Sequence, residues 1–421
     1  MLRFLSFHLG LIACFLLATA AIERPAFAES WTVLVYWAVD NDLYPDSVPY
    51  LSQFQEVGSS SNLRIVAEVD YPGSLRKTER LEIFNPSQVK SDPSLDLPYS
   101  RVIERFKKET DSADPATLTD FLLWGVRRFP ADRYLVVLAS HGMNWRGIIE
   151  DHDSGTVMPL EGVRRALYAM NQQRGQTLEL LVADACRMSF ADTLLGLAGQ
   201  TQWMVGSQFD VNGFEHARPL LELARRPGLS PAQLGLEYVR SYPRRDALEP
   251  NFSASLLHLQ DPGRDPMRVS WSQDMRWILD RLLELSPGQL LLVRDQLQIT
   301  QNDFADQAID FGNLMGALLS LLDPATPGLK AISDRYLTYS QHLDPQDGSV
   351  LLTQFHPQSV IQAASFTAGS QSATGLSLNC PKDLNAYRSS VFALLFPEWL
   401  EVCAKVSATF YLSTASNARR L

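Results

Sequence analysis

Two short apolar runs in this chain each lead to a side chain that can take part in catalysis. Residues 134–140 lead to His141, and residues 178–183 lead to Cys186. Apolar runs of this length, bounded by polar or glycine-rich turns, are typical of buried strands in a parallel sheet. The reactive groups of such sheets lie just past the carboxyl ends of the strands. The pattern therefore predicts a cysteine nucleophile with an imidazole base beside it.

The setting of Cys186 favours a functional thiol over a structural one. A lone cysteine among apolar residues is more often a buried core thiol. Cys186, however, follows its strand instead of lying inside it, and the polar residues Asp184 and Arg187 flank it. A nearby imidazole is enough to activate such a thiol, because the thiolate is the nucleophile.

Gly142 follows the histidine directly, and its missing side chain lets a substrate backbone approach closely. The backbone N–H groups of Gly142 and Cys186 are then candidates for an oxyanion hole, which is the electrostatic part of acyl transfer. Both parts of the chemistry would lie at one edge of the sheet.

Other classes of site fit the sequence less well. No His-Glu-x-x-His, paired Cys-x-x-Cys or Gly-x-Ser-x-Gly motif occurs, so neither a zinc site nor a serine hydrolase is expected. Asp40, Asp42, Asp151 and Asp153 could hold a hard ion such as calcium, although carboxylates in turns more often act as caps and turn formers. The formal charge of -10, with only scattered basic residues, argues against a nucleic-acid partner.

The reactive residues need a scaffold, and the pattern from Trp31 to about Gln208 alternates strands and helices. Strands are predicted at 32–38, 63–69, 134–140, 178–183 and 203–207, and helices at 117–128, 160–170 and 191–198. This alternation predicts an α/β fold with a mostly parallel sheet flanked by helices. Beyond about Pro250 the pattern changes to amphipathic helices at 275–285, 287–297 and 311–322, with short strands at 350–354, 365–367 and 375–379. We therefore expect a core at 29–250 and a mainly helical C-terminal region at 251–421.

The N-terminal residues 1–28 have the pattern of a signal peptide. Arg3 precedes an apolar stretch at 9–22, which is shorter than a membrane span, and the small-residue pattern at 26–28 predicts cleavage after Ala28. A second interpretation is a lipoprotein box at 11–14 with a lipidated Cys14. No later run is apolar enough to span a bilayer, so a periplasmic or secreted protein is expected.

Three cysteines then remain in the mature chain: Cys186, Cys380 and Cys403. An odd number in an exported protein indicates a free thiol or an intermolecular bridge. Cys186 is the candidate for the free thiol. Cys380 and Cys403 are either a disulfide or two buried thiols.

Taken together, these residues resemble the clostripain-like cysteine peptidases, relatives of caspases, legumain and gingipains. The matching segments are 31–36 with 40–43, Ser140-His141-Gly142 with Trp145, Asp184-Ala185-Cys186 with Met188, Ser207, Asp310-Phe311, 375–377 and Pro381. The His-Gly and Asp-Ala-Cys blocks, in this order on successive strands, are moderately specific together.

The resemblance implies a caspase-like fold and a role for each residue of the site. His141 and Cys186 would form the catalytic dyad, and the amides of Gly142 and Cys186 the oxyanion hole. Asp184 would lie in a specificity pocket for Arg or Lys, with Asp210 as a second substrate-binding residue. The implied activity is that of an exported endopeptidase that cleaves after Arg or Lys through a thioester, with peptides or proteins as substrates and no cofactor in the chemistry.

The chain departs from the family at Met143-Asn144, where small residues or glycine are usual, and at Arg187, where an apolar residue is usual. These departures motivate the alternative of a catalytically inactive caspase-like binding or envelope-assembly protein. Several family members are activated by self-cleavage between the two blocks, and Arg146, Arg164, Arg165 and Arg174 lie in this interval. Calcium dependence also occurs in the family, but the resemblance assigns no calcium ligands here.

Overall fold

A computed structural model describes residues 29–242, 253–259, 266–297, 308–345, 348–367, 373–381 and 383–406. The predicted signal peptide at 1–28 and the alternative lipidation at Cys14 lie outside the described residues. No helix in the described ranges is long and apolar enough to cross a membrane.

The strands are β1 (Trp31–Ala38), β2 (Leu63–Asp70), β3 (Glu79–Ile83), β4 (Ser100–Arg105), β5 (Arg133–Ala139), β6 (Glu150–Asp151), β7 (Thr156–Val157), β8 (Leu178–Asp184), β9 (Thr201–Gly206), β10 (Ser253–His258), β11 (Ala308–Asp310), β12 (Ser340–Leu343), β13 (Ser349–Thr353), β14 (Ile361–Thr367) and β15 (Ser377–Asn379). Eleven of them form one sheet in the order β12-β13-β14-β10-β9-β8-β5-β1-β2-β3-β4. The five central strands, from β9 to β2, are parallel to one another, and the outer strands pair antiparallel. The predicted strands of the first half are these five, within one or two residues at their ends.

The helices are α1 (Tyr44–Val57), α2 (Pro115–Arg128), α3 (Leu160–Arg174), α4 (Ala191–Leu197), α5 (Ala217–Arg225), α6 (Pro231–Ser241), α7 (Pro266–Glu284), α8 (Pro287–Leu297), α9 (Phe311–Leu321), α10 (Leu329–Tyr336), α11 (Leu384–Tyr387) and α12 (Val391–Leu395). They cover both faces of the sheet. Side chains of a strand alternate between the two faces, and in this sheet each face carries apolar residues that pack against helices. In β1, Leu34 and Tyr36 pack on the side of α2, α3 and α4, whereas Val35 and Trp37 pack on the side of α1, α5 and α6. The predicted fold class is confirmed: the centre of the sheet is parallel and flanked by helices, with further helices in the C-terminal region, and the antiparallel outer strands make the sheet as a whole mixed.

The C-terminal region contributes strands to the sheet as well as helices. β10 pairs with β9, β14 pairs with β10, and β13 and β12 continue the sheet outward. The sheet is therefore built from both sides of residue 250, and β10 reaches the carboxyl end of β9, where Ser255 pairs with Gly206.

Cys380 and Cys403 form a disulfide with a Cα–Cα distance of 5.5 Å, which decides between the two alternatives that the sequence left open. Within the described residues Cys186 is the free cysteine.

Candidate active site

His141 and Cys186 occupy equivalent places after two neighbouring strands. β5 and β8 are parallel and adjacent, and their last residues, Ala139 and Asp184, are partners in the register. His141 and Cys186 each lie two residues beyond these ends. The two reactive groups therefore emerge at the same carboxyl edge of the sheet, where the topology of parallel strands favours a site.

Gly142 lies directly against the backbone of Cys186. A Cβ atom at position 142 would lie 2.0 Å from the carbonyl oxygen of Cys186 and 2.8 Å from its nitrogen, so no side chain fits. The sequence suggested that this space serves a substrate backbone. The structure instead fills it with the backbone of the nucleophile, and the glycine is what allows the two loops to meet.

The amides of these two residues are unused by the fold. Gly142 forms an antiparallel bridge with Ile148, in which the N–H of Met143 donates to Gly147 and the N–H of Ile149 donates to His141. Neither bond involves the N–H of Gly142. Within the described residues, neither that N–H nor the N–H of Cys186 has an acceptor. Both donors are available for an oxyanion.

The imidazole of His141 is hydrogen-bonded to Asp42 and not to the cysteine. Its Nε2 lies 2.7 Å from Oδ1 of Asp42, and this hydrogen bond is the main reason that the pKa of Asp42 is lowered. If Nε2 carries the proton, Nδ1 keeps its lone pair and can act as a base. The sequence named Asp42 among candidate ion ligands and within the family-like segment 40–43, so its contact with the histidine was missed.

Cys186 is a neutral thiol in this conformation. Its Sγ lies 3.4 Å from the N–H of Val211 and 3.8 Å from the carbonyl oxygen of the same residue. Burial raises the pKa of the Cys186 thiol to about 11; the charge of Asp210 raises it further, while the Val211 N–H and Arg187 act in the opposite direction. The thiol therefore needs a base in order to react at neutral pH.

Asp184 lies inside the protein at the end of β8. Its Oδ1 accepts a hydrogen bond from the N–H of Phe214 at 2.9 Å, and its Oδ2 lies 2.9 Å from Nε2 of the fully buried His216. The other nitrogen of His216 lies 3.3 Å from the hydroxyl of Tyr238. The Asp184 side chain is 2% exposed, and both of its oxygens are hydrogen-bonded to the segment that follows β9.

Asp210 is paired with the arginine that follows the nucleophile. Nε and Nη2 of Arg187 lie 2.8 Å and 3.2 Å from the two carboxylate oxygens of Asp210. Arg187 has a φ of 57°, in the left-handed region, and its N–H donates to Phe209. Asp210 is 46% exposed and lies beside the thiol, so the charge of Arg187 is partly offset by a carboxylate.

The loop after Gly142 is held by the C-terminal region. Asn144, with a φ of 59°, is buried and exchanges side-chain hydrogen bonds with Asn379 of β15. Asn379 also donates to Asp192 at 2.7 Å, at the start of α4. The unusual Met143-Asn144 pair is thus accommodated by a buried polar network that the sequence did not indicate.

A group of carboxylates lies behind the His141 loop, and three of its members are among the ion ligands named from the sequence. These are Asp40, Asp151 and Asp153; the structure adds Asp70 and Glu109 and places Asp42 elsewhere, on the imidazole. Burial, followed by neighbouring carboxylates, raises the pKa of Asp40 to about 6. Burial is also the main cause that raises the pKa of Asp70 to about 8.

Solved structures with the same architecture are cysteine proteases. An inactive zymogen C11 protease from Parabacteroides distasonis is similar with a TM-score of 0.58 and 17% identity, over 87% of this chain and 98% of that chain. A secreted C11 cysteine protease from Bacteroides thetaiotaomicron, in complex with an irreversible peptide inhibitor, has a TM-score of 0.56 and 17% identity, over 89% and 99% of the two chains. At these identities the likeness establishes the fold. No curated protein matches the chain significantly.

The family rests on a separate comparison of sequence. The model of the clostripain family matches residues 35–255, more than half of the chain, and this range holds the complete His141 and Cys186 blocks. The chain therefore belongs to the clostripain family of cysteine proteases.

Proposed function

We propose that this protein is an exported cysteine endopeptidase that cleaves after Arg or Lys, with Cys186 as nucleophile and His141 as acid and base. The observation that carries the proposal is the pairing of two equivalent strand ends. His141 and Cys186 each lie two residues beyond partner residues of adjacent parallel strands, and Gly142 contacts the backbone of the nucleophile.

The reaction follows from the groups at this edge. Nδ1 of His141 takes the thiol proton, and the thiolate attacks the peptide carbonyl while the N–H groups of Gly142 and Cys186 stabilise the oxyanion. The imidazolium then protonates the leaving amine, and water hydrolyses the thioester. Asp42 holds Nε2 and orients the ring. Because the thiol is neutral and hydrogen-bonded to Val211 here, substrate binding has to bring the imidazole and the thiol together.

Basic specificity is assigned mainly to Asp210. Its carboxylate is half-exposed beside the nucleophile and already binds a guanidinium, that of Arg187, in the two-point geometry that suits a substrate arginine. A basic substrate side chain would take the place of Arg187. Asp184 supports this pocket from inside, because it anchors Phe214 in the segment that carries Asp210. This role differs from the direct substrate contact that the resemblance implies.

The activity is tested with the mature chain, residues 29–421, and fluorogenic peptides that end in Arg, Lys or Leu. We expect turnover of the Arg and Lys peptides, loss of turnover to background in Cys186→Ala and His141→Ala, and little turnover of the Leu peptide. Equal activity of wild type and Cys186→Ala would overturn the mechanism. A preference for Leu would overturn only the specificity.

A matched pair of isosteric variants distinguishes the role of Asp210 from that of Asp184. Asp210→Asn should raise KM for Arg and Lys peptides strongly and leave thermal stability nearly unchanged, because its ion pair is half-exposed. Asp184→Asn should lower stability, because it weakens a buried hydrogen-bonded pair. If Asp184→Asn abolished the Arg preference in a protein of normal stability, direct contact by Asp184 would replace this assignment.

Export is supported by the disulfide, since such bonds persist in oxidising compartments. Residues 1–28 fused to a reporter that is active only outside the cytoplasm should direct its export, and Arg3 and the apolar stretch should be required. A reporter that stays inactive would overturn this part of the proposal.

The second candidate is an inactive binding protein with the peptidase fold. The observation that favours it is the Arg187–Asp210 pair, which occupies the acidic group beside a thiol of raised pKa. An Arg-based, thiol-directed affinity probe distinguishes the two. Specific labelling of Cys186, read by mass, supports the peptidase, and failure to label the intact chain supports the binding protein.

A further inference from the structure

The backbone that follows β9 lies against the nucleophile. The N–H of Val211 lies 3.4 Å from Sγ of Cys186, and the carbonyl oxygen of Phe209 accepts a hydrogen bond from the residue after the cysteine at 3.0 Å. Asp210, which lies between these two contacts, has its carboxylate beside the thiol. The position of residues 207–211, here called the thiol-facing segment, therefore decides what surrounds the sulfur.

The thiol-facing segment lies outside any helix or strand, since β9 ends at Gly206 and α5 begins at Ala217. Segments without secondary structure depend on other contacts for a fixed position. Gln208 is the candidate for such a contact, because it is 4% exposed. A buried amide is costly unless its donors and its acceptor are hydrogen-bonded, so the partners of Gln208 indicate its role.

The side chain of Gln208 is bonded to the C-terminal region through all of its polar groups. Nε2 donates to Oδ2 of Asp310 at 2.9 Å and to the hydroxyl of Ser377 at 2.8 Å. Oε1 accepts a hydrogen bond from the N–H of Gly375 at 2.7 Å. These partners are at least 102 residues away along the chain, and Asp310 and Ser377 are partners in the register of β11 and β15.

Asp310 is itself held firmly, so it offers Gln208 a fixed acceptor. It caps the N-terminus of α9, where its Oδ1 accepts hydrogen bonds from the N–H of Asn313 at 2.9 Å and the hydroxyl of Thr374 at 2.8 Å. Its Oδ2 accepts the N–H of Thr374 at 2.8 Å in addition to the amide of Gln208. A carboxylate with this many donors has little freedom to move.

Strand β15 also contacts the loop that follows the nucleophile. The N–H of Ser377 donates to the carbonyl oxygen of Ser189 at 3.0 Å, and the N–H of Ser189 donates to the carbonyl oxygen of Ser207 at 2.7 Å. The C-terminal region, the loop after Cys186 and the thiol-facing segment are thus joined by one continuous set of hydrogen bonds.

We propose that Gln208 is a positioning residue, which holds the thiol-facing segment against Cys186 and thereby places Asp210 for the basic side chain of a substrate. The part that concerns substrate rests on the function proposed above, whereas the placement of the segment at the thiol does not. Gln208 touches no reacting atom. The C-terminal region acts on specificity through it without supplying a substrate contact.

The first test is alkylation of Cys186 by iodoacetamide, which needs no turnover. In Gln208→Ala the segment is released and the thiol becomes more exposed. Burial is the main cause that raises the pKa of this thiol, and it outweighs the opposite effect of losing the Val211 N–H. The labelling rate at pH 7 should therefore rise at least about tenfold. Ser377→Ala removes one of the three side-chain bonds of Gln208 and should give a smaller rise, which provides a reading even if Gln208→Ala fails to fold.

Asn171→Ala is the matched control, because it removes a buried amide at the opposite edge of the same sheet. Asn171 donates to the carbonyl oxygen of Gln200 and accepts from the N–H of Leu178, each at 2.8 Å, and Leu178 is the first residue of β8. This variant should lower the melting temperature and leave the labelling rate within about twofold of the parent. An unchanged rate in both Gln208→Ala and Ser377→Ala, or an equal rise in Asn171→Ala, would overturn the proposal.

The second test is peptide kinetics with the Arg substrate. Gln208→Ala should raise KM at least about tenfold and change kcat by less than about threefold, because the nucleophile and the imidazole stay in place while Asp210 moves. A lower kcat at unchanged KM would overturn the placement of Asp210. A parent without peptidase activity would overturn the proposed function, and the labelling rates would still decide whether Gln208 places the segment at the thiol.

Discussion

Burial decides the reactivity of the central thiol at the scale of single residues. Cys186 lies beside the Val211 backbone and the Arg187–Asp210 pair, and its pKa of about 11 keeps it protonated at neutral pH. In the proposed mechanism the thiol reacts only when Nδ1 of His141 comes within reach of it, because the imidazole is bonded to Asp42 and not to the sulfur. Substrate binding is the event that can supply this change in the proposed mechanism.

The first prediction concerns the alkylation of Cys186 in the absence of substrate. Because the thiolate is the reacting form, the rate with iodoacetamide should rise about tenfold per pH unit from pH 7 to 10 and level off near pH 11. At pH 7 it should be roughly tenfold or more below the rate of a free thiol. The measurement is mass-detected labelling at Cys186 over a pH series.

Asp210→Asn tests the cause of this pH dependence of the alkylation rate. The carboxylate of Asp210 raises the pKa of the thiol, so its removal should move the profile to lower pH. A rate that does not change between pH 6 and 8 would contradict the neutral thiol and would indicate a thiolate–imidazolium pair in the free protein.

At the scale of elements, two close contacts place the His141 loop, and both are specific to their residues. One is the contact between Gly142 and the backbone of Cys186, which joins the loops after β5 and β8. The other is the buried network in which Asn379 of β15 holds Asn144. This edge of the sheet is therefore assembled from three elements, one of which belongs to the C-terminal region.

The second prediction is that Gly142→Ala disrupts the active site. The new Cβ would collide with backbone atoms of Cys186, which no rotamer change can relieve, so the two loops have to move apart. We expect a loss of stability of about 1–3 kcal/mol and a loss of peptidase activity of at least about a hundredfold.

Gly228→Ala is the control for this substitution. No atom lies within 4 Å of a Cβ built at Gly228, so that variant should keep parental stability and activity. Chemical denaturation and peptide kinetics measure both effects. A fully active Gly142→Ala enzyme would contradict the contact.

The third prediction concerns the buried side-chain amide of Asn379 in β15. Asn379→Ala removes the partner of Asn144 and one of the donors to Asp192, so buried polar groups lose their hydrogen bonds. We expect a loss of about 2–4 kcal/mol in the free energy of unfolding, together with reduced kcat, since the His141 loop loses its support.

Asn62→Ala, at a half-exposed position before β2, provides the comparison. This variant should change neither the free energy of unfolding nor kcat appreciably. Equal stability of the two alanine variants would show that the network does not hold the loop.

At the scale of the whole molecule, one sheet unites the two halves of the chain, and a disulfide closes the C-terminal part. Cys380 follows β15 directly, and the carbonyl oxygen of Asn379 accepts a hydrogen bond from the indole of Trp399 at 2.6 Å. The bond between Cys380 and Cys403 thus lies next to the strand that supports the active-site loop.

The fourth prediction is that reduction of this disulfide destabilises the protein. A crosslink across 23 residues restricts the unfolded chain by about 3 kcal/mol. In a Cys186→Ala background, reductant should shift unfolding to a lower urea concentration by this amount of free energy.

The double variant Cys380→Ala/Cys403→Ala should unfold like the reduced parent and should not respond to reductant. If reductant left the parent unchanged while mass analysis showed both thiols free, the crosslink would not contribute to stability.

Much of the scaffold around the site follows from local patterns. The strands that precede His141 and Cys186 are apolar runs with clear ends, and the neighbouring helices have an apolar face. The strands and the helices could therefore both be predicted. α1 was missed because Pro45 and Pro49 interrupt its pattern. Pro45 lies in the first turn, which tolerates proline, whereas Pro49 lies inside the helix. The short strands β10 and β12 were missed because they carry little pattern of their own and are defined by their neighbours.

The sequence alone determined which groups could react, because residue types and strand ends are local properties. It placed His141, Gly142 and Cys186 at one edge, and the family match covers both blocks. Only the tertiary structure decided how those groups are bonded, because each partner is distant along the chain: Asp42 on His141, His216 on Asp184, and Asn379 on Asn144. The carboxylates of the cluster behind the His141 loop are also distant along the chain, and they come close to one another only when the sheet forms. Hydrogen bonds and charges act over a few ångströms in space, so the fold decides which of them act.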